Sequence, residues 1–104
     1  MSLSQYEAFI KAVETGTMTQ AAEELGYTQS GLTRALNTLE EQWNLKLLTR
    51  GRNGVQLTTE GQQLLPYIRT VLHDQRRLSE RIGEINDLRE GLIRIGTFNS
   101  VSLG

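Results

Sequence analysis

The chain has 104 residues with 11 Lys+Arg against 12 Asp+Glu, 10 Gly, 1 Pro, 1 His and no Cys, for a formal net charge of -1. That length suits one small domain with an extension and excludes a two-lobed enzyme, and the lack of cysteine excludes a disulfide framework, thiol catalysis and Cys-based zinc fingers. No apolar run nears the ~20 residues that cross a bilayer and residues 1–10 lack the pattern of a secretory signal, so a cytoplasmic protein without membrane contact is expected.

In chain order, Leu3, Tyr6, Phe9, Ile10 and Val13 recur at helical spacing, with Ser4 and Glu7 as a capping box and Gly16 as the stop. A short second helix starts at Thr17 or Thr19, carries Ala21, Ala22 and Leu25 on one face, and ends at Gly26. Thr28 is the N-cap expected for a third helix reaching about Trp43, with Leu32, Leu36, Leu39 and Trp43 on successive turns. The period then changes. Leu45, Leu47 and Leu48, then Arg50-Gly51-Arg52-Asn53-Gly54, then Val55-Gln56-Leu57 read as two short strands around a turn in which Asn-Gly takes positive φ.

From Thr59, a candidate N-cap, a long helix is expected to about Leu88. Leu64, Ile68, Val71, Gln75, Leu78, Ile82 and Ile85 alternate by three and four along it, with Leu72 beside them, and make a heptad-like seam. A head of this size cannot cover so long a stripe, so part of it is expected to face a second copy of the chain. Gln75 interrupts the seam, either pairing across the interface to set register or turning outward. Pro66 removes a backbone donor and predicts a kink or strained first turns, and pairs such as Arg76 with Glu80 keep the outer face solvated. Residues 92–96 read as a strand opening a further domain.

The fold class predicted is mainly α: a winged helix-turn-helix over residues 1–58, a linker and dimerisation helix over 59–90, and the start of a truncated domain over 91–104. Helix, glycine turn, helix from Met18 to Asn37 requires a small residue at the crossing (Ala22), a turn glycine (Gly26), and core fillers Ala21, Leu25, Leu32 and Ala35. Such a unit leaves the start of its second helix free to enter a major groove. Gln29, Ser30, Thr33, Arg34 and Asn37 share that face; glutamine can bridge adenine, arginine can bridge guanine or meet phosphate, and threonine can touch a thymine methyl. Overall charge gives no support for nucleic acid, yet residues 28–58 hold Arg34, Lys46, Arg50 and Arg52 against Glu40 and Glu41. Arg50 and Arg52 near the hairpin tip can lie along phosphate or in a narrow minor groove, and the helix start at Thr28 can aim N–H groups at a phosphate oxygen.

The stretches Ala21-Ala22-Glu23-Glu24-Leu25, Thr28-Gln29-Ser30-Gly31-Leu32-Thr33-Arg34, Leu39-Glu40, Leu45-Lys46-Leu47-Leu48-Thr49-Arg50, Gly54-Val55-Gln56-Leu57-Thr58, Gly61 and Leu65-Pro66-Tyr67 resemble the N-terminal region of LysR-type transcriptional regulators. The resemblance implies a winged helix-turn-helix, a linker helix pairing two subunits, and a large C-terminal effector-binding domain. It implies a bacterial regulator, tetrameric when full-length, answering to a small-molecule co-inducer bound outside this chain, with no cofactor within it. It carries DNA-facing roles to Gln29, Ser30, Thr33 and Arg34, backbone contacts to Thr19 and Gln20, and the wing to Arg50 and Arg52. The chain departs from the family pattern at Thr28 and Thr33, where serine is usual, at Gly31, at Asn44, where glycine usually ends the helix, and at Leu48. Gly31 costs about 1 kcal/mol against alanine within a helix. Pro66 is shared with many members.

Two other classes of function stand beside this reading. A protein-interaction module would use the long helix alone and make Gln29 and Arg34 dispensable. An enzyme finds no support, because His73 sits beside Asp74 with no nucleophile or second ligand near it in sequence, and the adjacent pairs Glu23-Glu24 and Glu40-Glu41 diverge on a helix as solvated faces do.

Overall fold

A computed structural model describes residues 3–95, with the side chains of residues 92–95 left aside. The elements are α1 (Leu3–Thr15), α2 (Met18–Leu25), α3 (Gln29–Trp43), β1 (Leu48–Gly51), β2 (Gly54–Leu57) and α4 (Thr59–Ile95). The described residues fall into two compact units that divide between Leu72 and His73.

The helix-turn-helix ends are set by their caps. Thr17 Oγ1 accepts from the Gln20 N–H at 3.1 Å to start α2, and Thr28 Oγ1 accepts from the Gly31 N–H at 3.0 Å to start α3. Gly26 takes φ 76° after α2, and the Tyr27 N–H donates to the Ala22 carbonyl at 2.9 Å. Asn44 takes φ 55° after α3, with the Leu45 N–H reaching the Glu40 carbonyl at 3.1 Å. Both ends are the same left-handed cap, so asparagine supplies at position 44 what glycine supplies at 26.

The apolar faces of these helices close on one core. Tyr6, Ala8, Phe9 and Ala12 of α1 meet Met18, Ala21 and Ala22 of α2 and Leu32, Leu36 and Leu39 of α3, with Leu47 and Leu48 beneath. Ala21 and Ala22 are small where the helices cross, and Tyr6 and Trp43 tilt together with ring centroids 5.7 Å apart. Ile68 and Leu72 of α4 are buried in this same core, and Leu64 and Leu65 pack half-buried against it.

The hairpin is antiparallel, with Leu48 opposite Leu57 and Arg50 opposite Val55. It is shorter than expected at its start: Leu45 lies before the strand and Leu47 is a buried core residue outside it. Arg50 and Gly51 belong to β1 rather than to the turn, which is Arg52-Asn53. The positive φ falls on Gly54 (97°) and not on Asn53.

Other expectations are corrected at the helix ends. Ser4 lies inside α1, which has already begun at Leu3. The cap of α4 is Thr58, whose Oγ1 accepts from the Gly61 N–H at 3.0 Å and whose hydroxyl donates to the Lys46 carbonyl; Thr59 is the first helical residue. Helix α4 passes through Pro66 without a break, and the Thr70 hydroxyl donates to the Pro66 carbonyl at 3.0 Å. The strand expected over residues 92–96 is helix as far as Ile95, because a helix pairs its own backbone groups while a strand needs a neighbour to pair with. Gly96 and the rest of the expected further domain lie outside the described residues.

Candidate nucleic-acid interface

Helix α3 turns Leu32, Leu36 and Leu39 inward, which forces Gln29, Ser30, Arg34 and Asn37 outward and leaves Thr33 half-buried between the two faces. These five line one open groove together with Thr38 and Glu41. A second crevice joins Gln29 and Thr33 to Thr17 and Thr19 of the α2 start and to residues 50–55 of the hairpin. Thr19 and Gln20 are exposed in the first turn of α2, and Arg52 is exposed in the hairpin turn. The structure therefore places the helix-start residues, the outward face of α3 and the hairpin on one continuous surface of the head.

Backbone contacts hold the hairpin there. The Val55 N–H donates to the Gly16 carbonyl at 2.8 Å. A β-carbon on Gly54 would stand 2.3 Å from that same carbonyl oxygen, so only glycine lets the hairpin approach the turn between α1 and α2. Gly61 does the same on the other side: a β-carbon there would meet the Leu47 carbonyl oxygen at 2.3 Å. Gly31 has a local reason, since a β-carbon would stand 3.0 Å from Thr28 Oγ1, the atom that caps the helix.

Glu40 departs from its sequence reading. It is 8% exposed rather than solvated. Its Oε2 accepts from the N–H groups of Leu47 at 2.7 Å and Leu48 at 3.1 Å, while Oε1 lies 3.6 Å from Lys46 Nζ. A carboxylate is suited to this place because it accepts both orphan donors at the entry to β1. Spacing along one helix cannot show such a role, because the partners lie seven and eight residues ahead. Glu41, its neighbour, stays exposed beside Arg34 and Asn37, and its position four residues after Asn37 is a signal that the sequence does carry.

The cations differ in their freedom. Lys46 faces Glu40, and Lys11 bridges Glu14 at 3.7 Å and Glu24 at 3.3 Å. Arg50 Nη2 donates to Asn37 Oδ1 at 2.9 Å, which joins two residues read from sequence as separate contacts. Arg34 and Arg52 have no acid partner among the described residues, so their charge is offered to solvent. His73 is exposed on α4, and Asp74 beside it pairs with Arg77 at 3.7 Å.

The seam of α4 divides. Ile68 and Leu72 are spent inside the head, and Leu64 is half-buried against it. Val71, Leu78, Ile82, Ile85 and Leu88 are exposed at 42, 61, 49, 45 and 67%. The Gln75 amide donates to Ser79 Oγ at 3.1 Å, along its own helix. Among the described residues the ion pairs along α4 are Asp74 with Arg77 and Arg81 with Glu84, at 3.0 Å, in place of the expected Arg76 with Glu80. Among the described residues, no helix is long and apolar enough to cross a membrane.

A family model for bacterial regulatory helix-turn-helix proteins of the lysR family matches residues 3–62, more than half of the chain. The chain belongs to the lysR family. Among its relatives, the HTH-type transcriptional regulator YvbU of Bacillus subtilis is 36% identical over 98% of this chain and 35% of its own length. The HTH-type transcriptional regulator CzcR of Bacillus cereus is 31% identical, again over 98% of this chain and 35% of its own. The chain thus spans about a third of the length of these relatives. In structure it is similar to the CbnR DBD in complex with DNA, with a TM-score of 0.75, 31% identity and coverage of 83% of this chain and 99% of that one. It is similar to the BenM DBD in complex with catB site 1 DNA, with a TM-score of 0.77, 30% identity and coverage of 83% and 97%. These neighbours share the lysR-family winged helix-turn-helix followed by a long helix.

Proposed function

We propose that this lysR-family chain is the DNA-binding part of a cytoplasmic transcription regulator that reads an inverted-repeat operator as a homodimer. The observation that carries the reading is the outward face of α3: Gln29, Ser30, Thr33, Arg34 and Asn37 are held off the core on a surface shared with the docked hairpin and the α2 start. In this reading α3 enters the major groove, where these side chains meet base edges. Thr19, Gln20 and the N–H groups at Thr28 take phosphates, and Arg52 follows the backbone or the adjacent minor groove. The chemistry is recognition without catalysis.

Exposed Val71, Leu78, Ile82 and Ile85 support pairing of two copies through α4, each head reading one half-site about 34 Å or a multiple of it from the other. In the full-length protein a C-terminal domain would bind a small-molecule co-inducer, and pairs of dimers would form a tetramer. A mobility-shift titration against promoter DNA flanking the encoding gene tests the reading: retardation at low salt is expected, and no retardation even there overturns it.

A further inference from the structure

Arg50 of β1 and Asn37 of α3 are joined by a hydrogen bond, and that bond restricts what Asn37 can read. Arg50 Nη2 donates to Asn37 Oδ1 at 2.9 Å. A guanidinium carries donors and no acceptor, so the amide oxygen must be the atom turned to it and the amide NH2 the atom turned away. An unrestrained asparagine offers an acceptor beside a donor, which matches the edge of adenine, where N7 accepts and N6 donates. With one Oδ1 lone pair taken by a charged donor and the oxygen turned toward the hairpin, the NH2 is the end of the Asn37 amide left to turn to the groove. Guanine, with O6 and N7 both acceptors, matches that edge.

The arrangement is braced from behind. Arg50 stands opposite Val55 in the hairpin, and Val55 is bonded to the Gly16 carbonyl at 2.8 Å, with Gly54 against the same carbonyl. The backbone that carries the guanidinium is therefore tied to the helix-turn-helix rather than free at a loop tip. Asn37 is fixed in turn by Leu36 beside it, which is 1% exposed in the core.

We propose that Arg50 is a positioning residue: by holding the Asn37 amide oxygen it makes Asn37 select guanine over adenine at one operator position. This rests on the DNA-binding reading above and adds a specificity role to a residue that would otherwise be a phosphate contact. The test is selection of sites by the whole chain from a pool of randomised duplexes, followed by affinities for the selected site and its guanine-to-adenine variants. Asn37→Ala and Arg50→Ala are expected to lose about tenfold discrimination at the same single base pair, and the double variant no more than either alone. Arg50→Ala lowering every affinity by one common factor with the preference intact overturns the proposal. Asn37→Ala is an exposed change to the best helix former, so it keeps the test open if Arg50→Ala disturbs the hairpin, and an unchanged preference in it overturns the proposal equally. A wild-type chain that enriches no sequence and shifts no duplex at low salt fails the DNA-binding reading itself.

Discussion

Glu40 and Gly54 show how single residues hold the hairpin in place beside the helix-turn-helix. Replacing Glu40 with alanine leaves the Leu47 and Leu48 N–H groups buried without an acceptor, at a cost of about 1–3 kcal/mol for each unpaired group. Lys46 faces the same carboxylate from a side chain 65% exposed, where solvent screens the pair. Urea unfolding should therefore show Glu40→Ala destabilised by about 2–6 kcal/mol and Lys46→Ala within about 0.5 kcal/mol of wild type. Equal losses in the two variants would mean that the ion pair, and not the two backbone bonds, is what matters. Gly54→Ala sets a β-carbon against the Gly16 carbonyl at a φ of 97°, so the hairpin must move away. A loss of about 1–3 kcal/mol is expected in the same measurement, together with weaker DNA binding. Of these two residues, the glycine was legible as part of a turn. Its close approach to a turn 38 residues earlier was not, since nothing local in the chain encodes that contact.

At the scale of elements, caps and periodicities were readable because each is decided within a few residues. Thr28, Gly26 and the leucines at 32, 36 and 39 act within one helix or its flanking turn. The seam of α4 was readable as a stripe too long for the head to cover, but the point at which it leaves the head was not. Ile68 and Leu72 cover the head, while Leu78, Ile82 and Ile85 are left outside, and heptad spacing is the same for both sets. The split predicts different effects of mutation. Ile82→Glu should shift the chain from dimer to monomer in sedimentation at tens of micromolar while the thermal unfolding of the head changes little. Ile68→Ala should destabilise the head by about 2–4 kcal/mol. A wild-type chain that sediments as a monomer would remove the proposed dimer.

For the whole molecule, the balance of charge decides how binding responds to salt. A net charge of -1 gives no general attraction to a polyanion, so affinity must come from a few placed cations. Lys11 and Lys46 are engaged by carboxylates within the head, while Arg34, Arg50 and Arg52 line the crevices of α3 and the hairpin without an acid partner among the described residues. Arg52→Ala should weaken binding evenly across operator sequences and reduce the slope of log affinity against log salt by about 1, as loss of one phosphate contact does. Arg34→Ala should instead relax the choice of base. Measuring both variants on the same set of duplexes across salt separates the two roles, and an identical response would contradict the assignment.

The order of helices, the glycine turn, the hairpin and the outward face of α3 were determined by the amino-acid sequence alone, because helix faces, caps and turn conformations depend on near neighbours. Tertiary structure decided the clamp made by Glu40, the docking of Gly54 on Gly16, the point at which the α4 stripe divides and the bond from Arg50 to Asn37. Each of those rests on which groups are brought together by folding, where a buried donor needs an acceptor and a close backbone approach leaves no room for a side chain.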